Sequence, residues 1–152
     1  MDLILWRHAE AEDGEPDMER ELTPKGQKQA RRMAEWLDSQ LPEGCKILVS
    51  PAQRTLQTVE PLGRKFKVST QLAPGASAQD VLRAVNWPNG KEAVLVVGHQ
   101  PTLGQVAALL VSGKAQEWEI KKANAWWIVQ REPQDPYSLY LKAVMAPELI
   151  VK

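Results

Sequence analysis

Arg7-His8 follows the apolar run Leu3-Ile4-Leu5-Trp6, and two later apolar runs end in a similar way. Lys46-Ile47-Leu48-Val49-Ser50-Pro51 leads within one helical turn to Arg54, and Ala93-Val94-Leu95-Val96-Val97-Gly98 leads straight to His99. The chain has 2 histidines, and each stands at the end of such a run. A neutral imidazole nitrogen can attack phosphorus when an acceptor holds the other ring nitrogen and fixes the tautomer. Arginine offers planar forks that match phosphate oxygens. Phosphoryl transfer asks mainly for positioning and charge stabilisation. A set made of His8 as nucleophile, Arg7 and Arg54 as phosphate forks, and a protonated His99 as a further donor is therefore chemically sufficient. Ser50 has two readings, a helix cap or a direct phosphate contact, and the helix start after it could aim backbone N–H groups at the same anion.

These residues meet only if the three runs are parallel strands, because open α/β sheets bind ligands beyond the carboxyl ends of their strands. Short continuous apolar runs read as buried strands. Between the first two, Thr23 is the expected N-cap of a helix with Pro24 at its first position, and Ala30, Met33, Ala34, Leu37 and Leu41 form its buried face up to Pro42. Ser50-Pro51-Ala52-Gln53 has the form of a capping box, and a helix is predicted over about 51–66, kinked or divided at Pro61. A short strand is expected at 67–72. Ser77 caps a third helix carrying Val81, Leu82 and Val85 inward, and Pro101-Thr102 opens a fourth that runs to about Val111. This alternation predicts a three-layer α/β/α domain with a mainly parallel sheet, one domain over 1–152. Residues 126–129 and 138–141 read as two strands around a Pro-rich turn at 133–136, a hairpin added at a sheet edge.

Charge and composition narrow the classes. Lys+Arg and Asp+Glu number 19 each, so no global basic field exists for nucleic acid or an anionic membrane. The single cysteine, Cys45, excludes an internal disulfide framework and a multi-cysteine zinc site. His8-x-Glu10 matches the H-x-E of zinc deaminases, but the paired cysteines of that chemistry are absent. Cys45 itself lies in a turn with no phosphate-cradling Gly-rich loop after it. No stretch has the length of a transmembrane helix, and the first apolar run is too short for a signal sequence, so a cytoplasmic monomer is the expectation. Between Glu10 and Glu21 the chain is strongly acidic and is broken by Gly14 and Pro16. It reads as a solvated loop, or as one that repels polyanions or receives a basic partner. Lys121-Lys122 reads first as a solvated pair and otherwise as an edge of the pocket. Trp126-Trp127 reads as alternation between the two faces of a strand.

The motifs resemble those of the histidine phosphatase superfamily, also called the phosphoglycerate mutase-like family. Arg7-His8-Ala9 stands for its R-H-G signature, Ser50 to Thr58 for its S-x-x-x-R-x-x-Q-T segment, and Val97-Gly98-His99-Gln100-Pro101 for its second histidine. The short length, the Arg7-to-Glu12 opening and the Gly98-to-Pro101 segment look most like the small SixA-like branch, associated with phosphohistidine in signalling or phosphotransfer proteins. The resemblance implies His8 as the phosphorylated nucleophile, Arg7, Arg54 and His99 as the phosphate pocket, and neither metal nor organic cofactor. Two departures stand out. Ala9 replaces the usual glycine, and Leu72-Ala73-Pro74-Gly75-Ala76-Ser77 lacks the carboxylate that many members supply as general acid. Glu10, Glu12 and Asp80 are the candidate substitutes. The implied function is a phosphatase acting on phosphohistidine in a protein. The alternatives are a small phosphomonoesterase and a non-catalytic module that binds phosphate or a phosphoprotein.

Overall fold

The computed structural model describes residues 1–150. Six strands form one sheet: β1 (Asp2–Arg7), β2 (Lys46–Val49), β3 (Lys67–Val68), β4 (Val94–Gly98), β5 (Ala125–Gln130) and β6 (Leu139–Met145). Their order is β3-β2-β4-β1-β5-β6. β1, β2, β3 and β4 are mutually parallel, whereas β5 runs antiparallel to both β1 and β6. The C-terminal hairpin therefore extends the sheet beside β1, with β6 at the rim.

Four α-helices cover the two faces: α1 (Pro24–Gln40), α2 (Gln53–Val59), α3 (Ala78–Ala84) and α4 (Thr102–Ser112). Because successive side chains on a strand point to opposite faces, β1 feeds both cores. Ile4 and Trp6 join Ile47, Val49, Leu95 and Val97 under α1 and α2. Leu3 and Leu5 join Val94 and Val96 under α3 and α4. The layers are those read from the strand–helix alternation. Trp126 and Trp127 divide between the two faces as well, and the Trp127 indole N–H donates to Asp2 Oδ2 at 2.9 Å.

Local signals succeed where the capping residue directly precedes the helix. Thr23 Oγ accepts the Gly26 N–H at 2.9 Å, and Ser77 with Asp80 makes a reciprocal capping box at the start of α3. The second helix departs from expectation. It starts at Gln53, so the N-cap position falls on Ala52, which has no side-chain acceptor; Ser50 Oγ instead accepts the Ala52 N–H at 3.3 Å. It ends at Val59, where Pro61 directs the chain into a 3-10 turn over Glu60–Leu62, closed by Gly63 at φ +69°. The expected strand at 67–72 shortens to Lys67–Val68, since Ser69 caps a further 3-10 turn over Thr70–Leu72.

The acidic stretch after β1 is closed at its base. Glu12 N–H donates to Glu21 O at 2.8 Å and Thr23 N–H to Glu10 O at 3.0 Å. Gly26 in the first turn of α1 packs on that base so tightly that a Cβ there would overlap the Glu10 carbonyl. Gly26→Ala is therefore expected to lower stability by roughly 1–3 kcal/mol, the usual cost of overpacking. The midpoint shift in urea denaturation at constant slope measures it.

Candidate active site

Parallel pairing brings the functional residues to one pole of the sheet. Arg7 lies opposite Gly98 in the β1–β4 ladder, and the His8 N–H continues it to the Gly98 carbonyl at 3.0 Å. Ser50 N–H reaches Val97 O at 3.1 Å, so the end of β2 is fixed against the same strand. The His8 and His99 rings lie 5.3 Å apart between centroids, inclined by 56°. With Arg7 and Arg54 they border a cavity of about 250 Å3. A larger groove of about 730 Å3 opens elsewhere beside β2 and contains Cys45. Burial raises that thiol to about 11, which keeps it protonated and unreactive.

The backbone places these side chains firmly. Ala9 N–H donates to Thr58 Oγ1 at 3.0 Å, and Thr58 Oγ1–H to Arg54 O at 2.7 Å, so α2 is tied to the turn after β1. Gln57 Oε1 accepts the Leu22 N–H at 2.7 Å. The segment before β5 wraps the other side: His8 O accepts Ala123 N–H at 3.1 Å, and Arg7 Nη1 donates to Ile120 O at 2.9 Å. Ala9 is fully buried and is not among the residues with positive φ, so its Cβ is tolerated where the family usually has glycine.

Hydrogen bonding assigns both ring tautomers. His8 Nδ1 lies 2.7 Å from the Ala9 carbonyl, which can only accept, so Nδ1 carries the proton and Nε2 keeps its lone pair. Burial pushes His8 down to about 4, helped by the charges of Arg54, Arg7 and Arg20 and opposed by the bond to Ala9. The Ala52 N–H donates to Ser50 Oγ at 3.3 Å, which frees the hydroxyl proton for His99 Nε2 at 2.7 Å. His99 is pushed to about 3 by burial first, then by His8 and Arg54. The ligand-free ring is thus neutral, with its proton on Nδ1. The donor expected from a protonated His99 comes instead from this neutral Nδ1–H.

Three buried side-chain nitrogens lack a partner among the described residues: Arg7 Nε, Arg54 Nε and His99 Nδ1. All belong to residues lining the cavity, and all are donors. Leaving a buried donor unpaired costs about 1–3 kcal/mol, so three around one cavity concentrate unmet donor capacity at this pole of the sheet. Burial lowers the Arg7 guanidinium from its ordinary value, opposed by Glu119, and it remains charged.

Arg7, His8, Arg54 and His99 come together. Ser50 does not join the cavity wall; it is fully buried, with its hydroxyl committed to His99. Lys122 departs from the solvated-pair reading and lines the cavity mouth, whereas Lys121 pairs with Glu119 at 3.3 Å. None of the three candidate acids lines the cavity. Glu10 Oε2 accepts the Thr23 hydroxyl at 2.8 Å, Glu12 is exposed, and Asp80 is held by Ser77 and Arg83. The Ser77 backbone and side-chain bonds, with Arg83, keep the Asp80 carboxyl below its usual range. The carboxylate among the lining residues is Asp13, which sequence reasoning passed over together with Arg20 and Asp17. Nothing distinguishes Asp13 and Asp17 among the carboxylates of the loop, whereas Arg20, its one basic residue, was the signal available. Gln57 and Thr58 were visible as motif letters, but their bonds were not.

A sequence model of the histidine phosphatase superfamily (branch 1) matches residues 3–77. The phosphohistidine phosphatase SixA of Escherichia coli (strain K12) is 34% identical over 124 residues, 75% of this chain and 76% of that protein. The chain belongs to the histidine phosphatase superfamily. A structure of the protein histidine phosphatase SixA complexed with tungstate superposes with a TM-score of 0.81 at 27% identity, covering 99% of this chain and 100% of that one. A SixA structure from Nakamurella multipartita, described there as a putative phosphohistidine phosphatase, gives 0.78 at 27% identity over 96% and 95% of the two chains. The chain is thus a phosphatase of the histidine phosphatase type. No helix among the described residues is long and apolar enough to cross a membrane.

The neutral histidines of this histidine phosphatase set a pH dependence. Both folded values lie below the ordinary 6.5, so the unfolded chain binds more protons in acid. Their contribution to stability is fully present above pH 6.5 and is lost as pH falls through about 4 and 3. With 2 histidines in the chain, the imidazole C2–H resonances report each one. Neither is expected to titrate between about pH 5 and 8 in the ligand-free protein. A midpoint near 6.5 would mean that the ring is solvated, not held as described.

Proposed function

We propose that this histidine phosphatase removes phosphoryl groups from phosphohistidine in a signalling or phosphotransfer protein through a phospho-His8 intermediate. The observation that carries the reading is the His8 Nδ1–H bond to the Ala9 carbonyl at 2.7 Å, which leaves Nε2 as the nucleophilic nitrogen of a ring neutral at physiological pH. Nε2 attacks phosphorus, the bond to the substrate imidazole breaks, and that ring leaves with the bonding pair. Water then attacks phospho-His8 and releases inorganic phosphate and the free imidazole. Arg7, Arg54 and the His99 Nδ1–H hold the equatorial oxygens, where charge is spread in the transition state. Ser50 acts from behind His99 by holding its tautomer.

The choice of leaving group follows from the cavity mouth. Expelling an alkoxide calls for a positioned acid, whereas an imidazole ring titrates near neutral pH and can acquire a proton without one. Leu72–Ser77 offers no carboxylate, and Glu10 and Asp80 are tied to other groups. The names of the relatives point the same way. A cavity of about 250 Å3 is also small for enclosing a whole metabolite, which suits a phosphoryl group presented on a protein surface. Asp13 at the mouth favours one second reading, a small phosphomonoesterase with Asp13 as its acid.

His8→Ala is expected to lower turnover on the order of a thousandfold or more. Acid-labile, base-stable phosphate should appear on quenched wild-type enzyme and be missing from that variant. Near-normal activity in His8→Ala would refute the mechanism. In parallel, kcat/KM is expected to be high for a phosphohistidine protein or peptide and for an aryl phosphate, and low for a sugar phosphate. If the sugar phosphate is best and Asp13→Asn removes that activity selectively, the phosphomonoesterase reading takes its place.

A further inference from the structure

Arg54 is anchored from outside its own helix. Its Nη1 donates to the Asp17 carbonyl at 2.8 Å and its Nη2 to Asp17 Oδ2 at 3.1 Å. The other oxygen of the same carboxylate accepts from Arg20 Nε at 3.1 Å, and Arg20 Nη1 donates to Glu12 O at 3.2 Å. Arg54 and Arg20 line the cavity; Asp17 does not. The pair is unequal in burial, the Arg54 side chain being 4% exposed and that of Asp17 51%. An exposed pair such as Asp17–Arg20 contributes little by itself. The contact to the buried guanidinium fixes geometry. A guanidinium can present its end edge, Nη1 with Nη2, or its side edge, Nε with Nη2. On Arg54 the end edge is engaged by Asp17, and Nε is a buried donor without a partner.

We infer that Asp17 is a positioning residue of the phosphoryl site: it engages the end edge of Arg54, so that the Nε side edge faces the anion, and with the same carboxylate it holds Arg20 at the mouth. The inference rests on reading the cavity as the phosphoryl site. Asp17 touches no substrate and acts through the two arginines. Burial, the largest single influence, raises its carboxyl, but the hydrogen bonds and charges of Arg54 and Arg20 together outweigh it and hold the carboxyl below the usual range, so it stays ionised near neutral pH. The acidic loop thereby has a task apart from repelling polyanions: one of its carboxylates orients the arginine that grips the substrate.

The test uses the whole chain, an aryl phosphate as substrate and orthovanadate as a calorimetric probe. Asp17→Ala is expected to lower kcat about tenfold or more while KM changes less than about threefold, since misaiming Arg54 harms the transition state more than the ground state. Vanadate affinity should fall in step with kcat. Asp17→Asn should fall between wild type and Asp17→Ala, because its one amide oxygen serves only one of the two arginines. In an Arg54→Ala background the Asp17→Ala change should add less than about twofold, the non-additivity expected of residues acting as one unit. Unchanged kcat and vanadate affinity in Asp17→Ala, or full additivity in the double variant, would overturn the inference. If Asp17→Ala fails to fold, Asp17→Asn provides the same readouts. Absence of His8-dependent hydrolysis in wild type would refute the functional reading instead, and the vanadate affinities would still decide the role of Asp17.

Discussion

β1 and β4 run side by side and parallel, and the His8 N–H extends their ladder to the Gly98 carbonyl. That one register sets how far each histidine stands beyond its strand. A slip by one residue would turn every β1 side chain to the opposite face and exchange the contents of the two cores. Both faces of β1 are packed with large apolar side chains, so the cost of a slip is the whole core. The placement of His8 beside His99 thus draws on the stability of the entire sheet. The arrangement is rigid before any anion arrives.

The same rigidity explains how a cluster of cations and imidazoles is held without collapsing or charging further. The pocket keeps both rings neutral by burial and by nearby guanidinium charge, and it directs their protons with a carbonyl on one side and a hydroxyl on the other. In the proposed reaction a phosphoryl group supplies negative charge and acceptor oxygens to this set of donors. The binding energy is available because the donors are already oriented, in line with electrostatic preorganisation.

Much of this was legible from residue order. Three continuous apolar runs, two ending directly in a basic residue and one reaching Arg54 a helical turn later, imply a parallel sheet with its basic residues at one edge, and both faces of that sheet are covered as read. Helix signals held at Thr23 and Ser77, where the capping oxygen stands directly before the first helical residue. At Ser50 the local signal misled, because the helix begins only at Gln53 and its N-cap position falls on Ala52, while the Ser50 hydroxyl proton goes to a buried imidazole nitrogen. Asp17 could not be picked out. It is one of seven acidic residues in the loop, and its partner Arg54 lies 37 positions away. Lys122 was visible only as the second of two readings, since its place at the mouth depends on bonds from 120–124 to the end of β1.

The closed base of the acidic loop divides it into two stretches with different evolutionary freedom. Residues 17–20 are bound to Arg54 and to each other and are not free to drift. Residues 13–16 are exposed, and Gly14 has nothing within 4 Å of where a Cβ would stand. Lengthening a loop whose ends are already joined is cheap, about 0.6 kcal/mol for each doubling. New segments can therefore be spliced in at Gly14–Glu15, beyond Asp13 at the cavity mouth. That makes this short stretch an exchangeable cassette beside the cavity of a phosphatase scaffold.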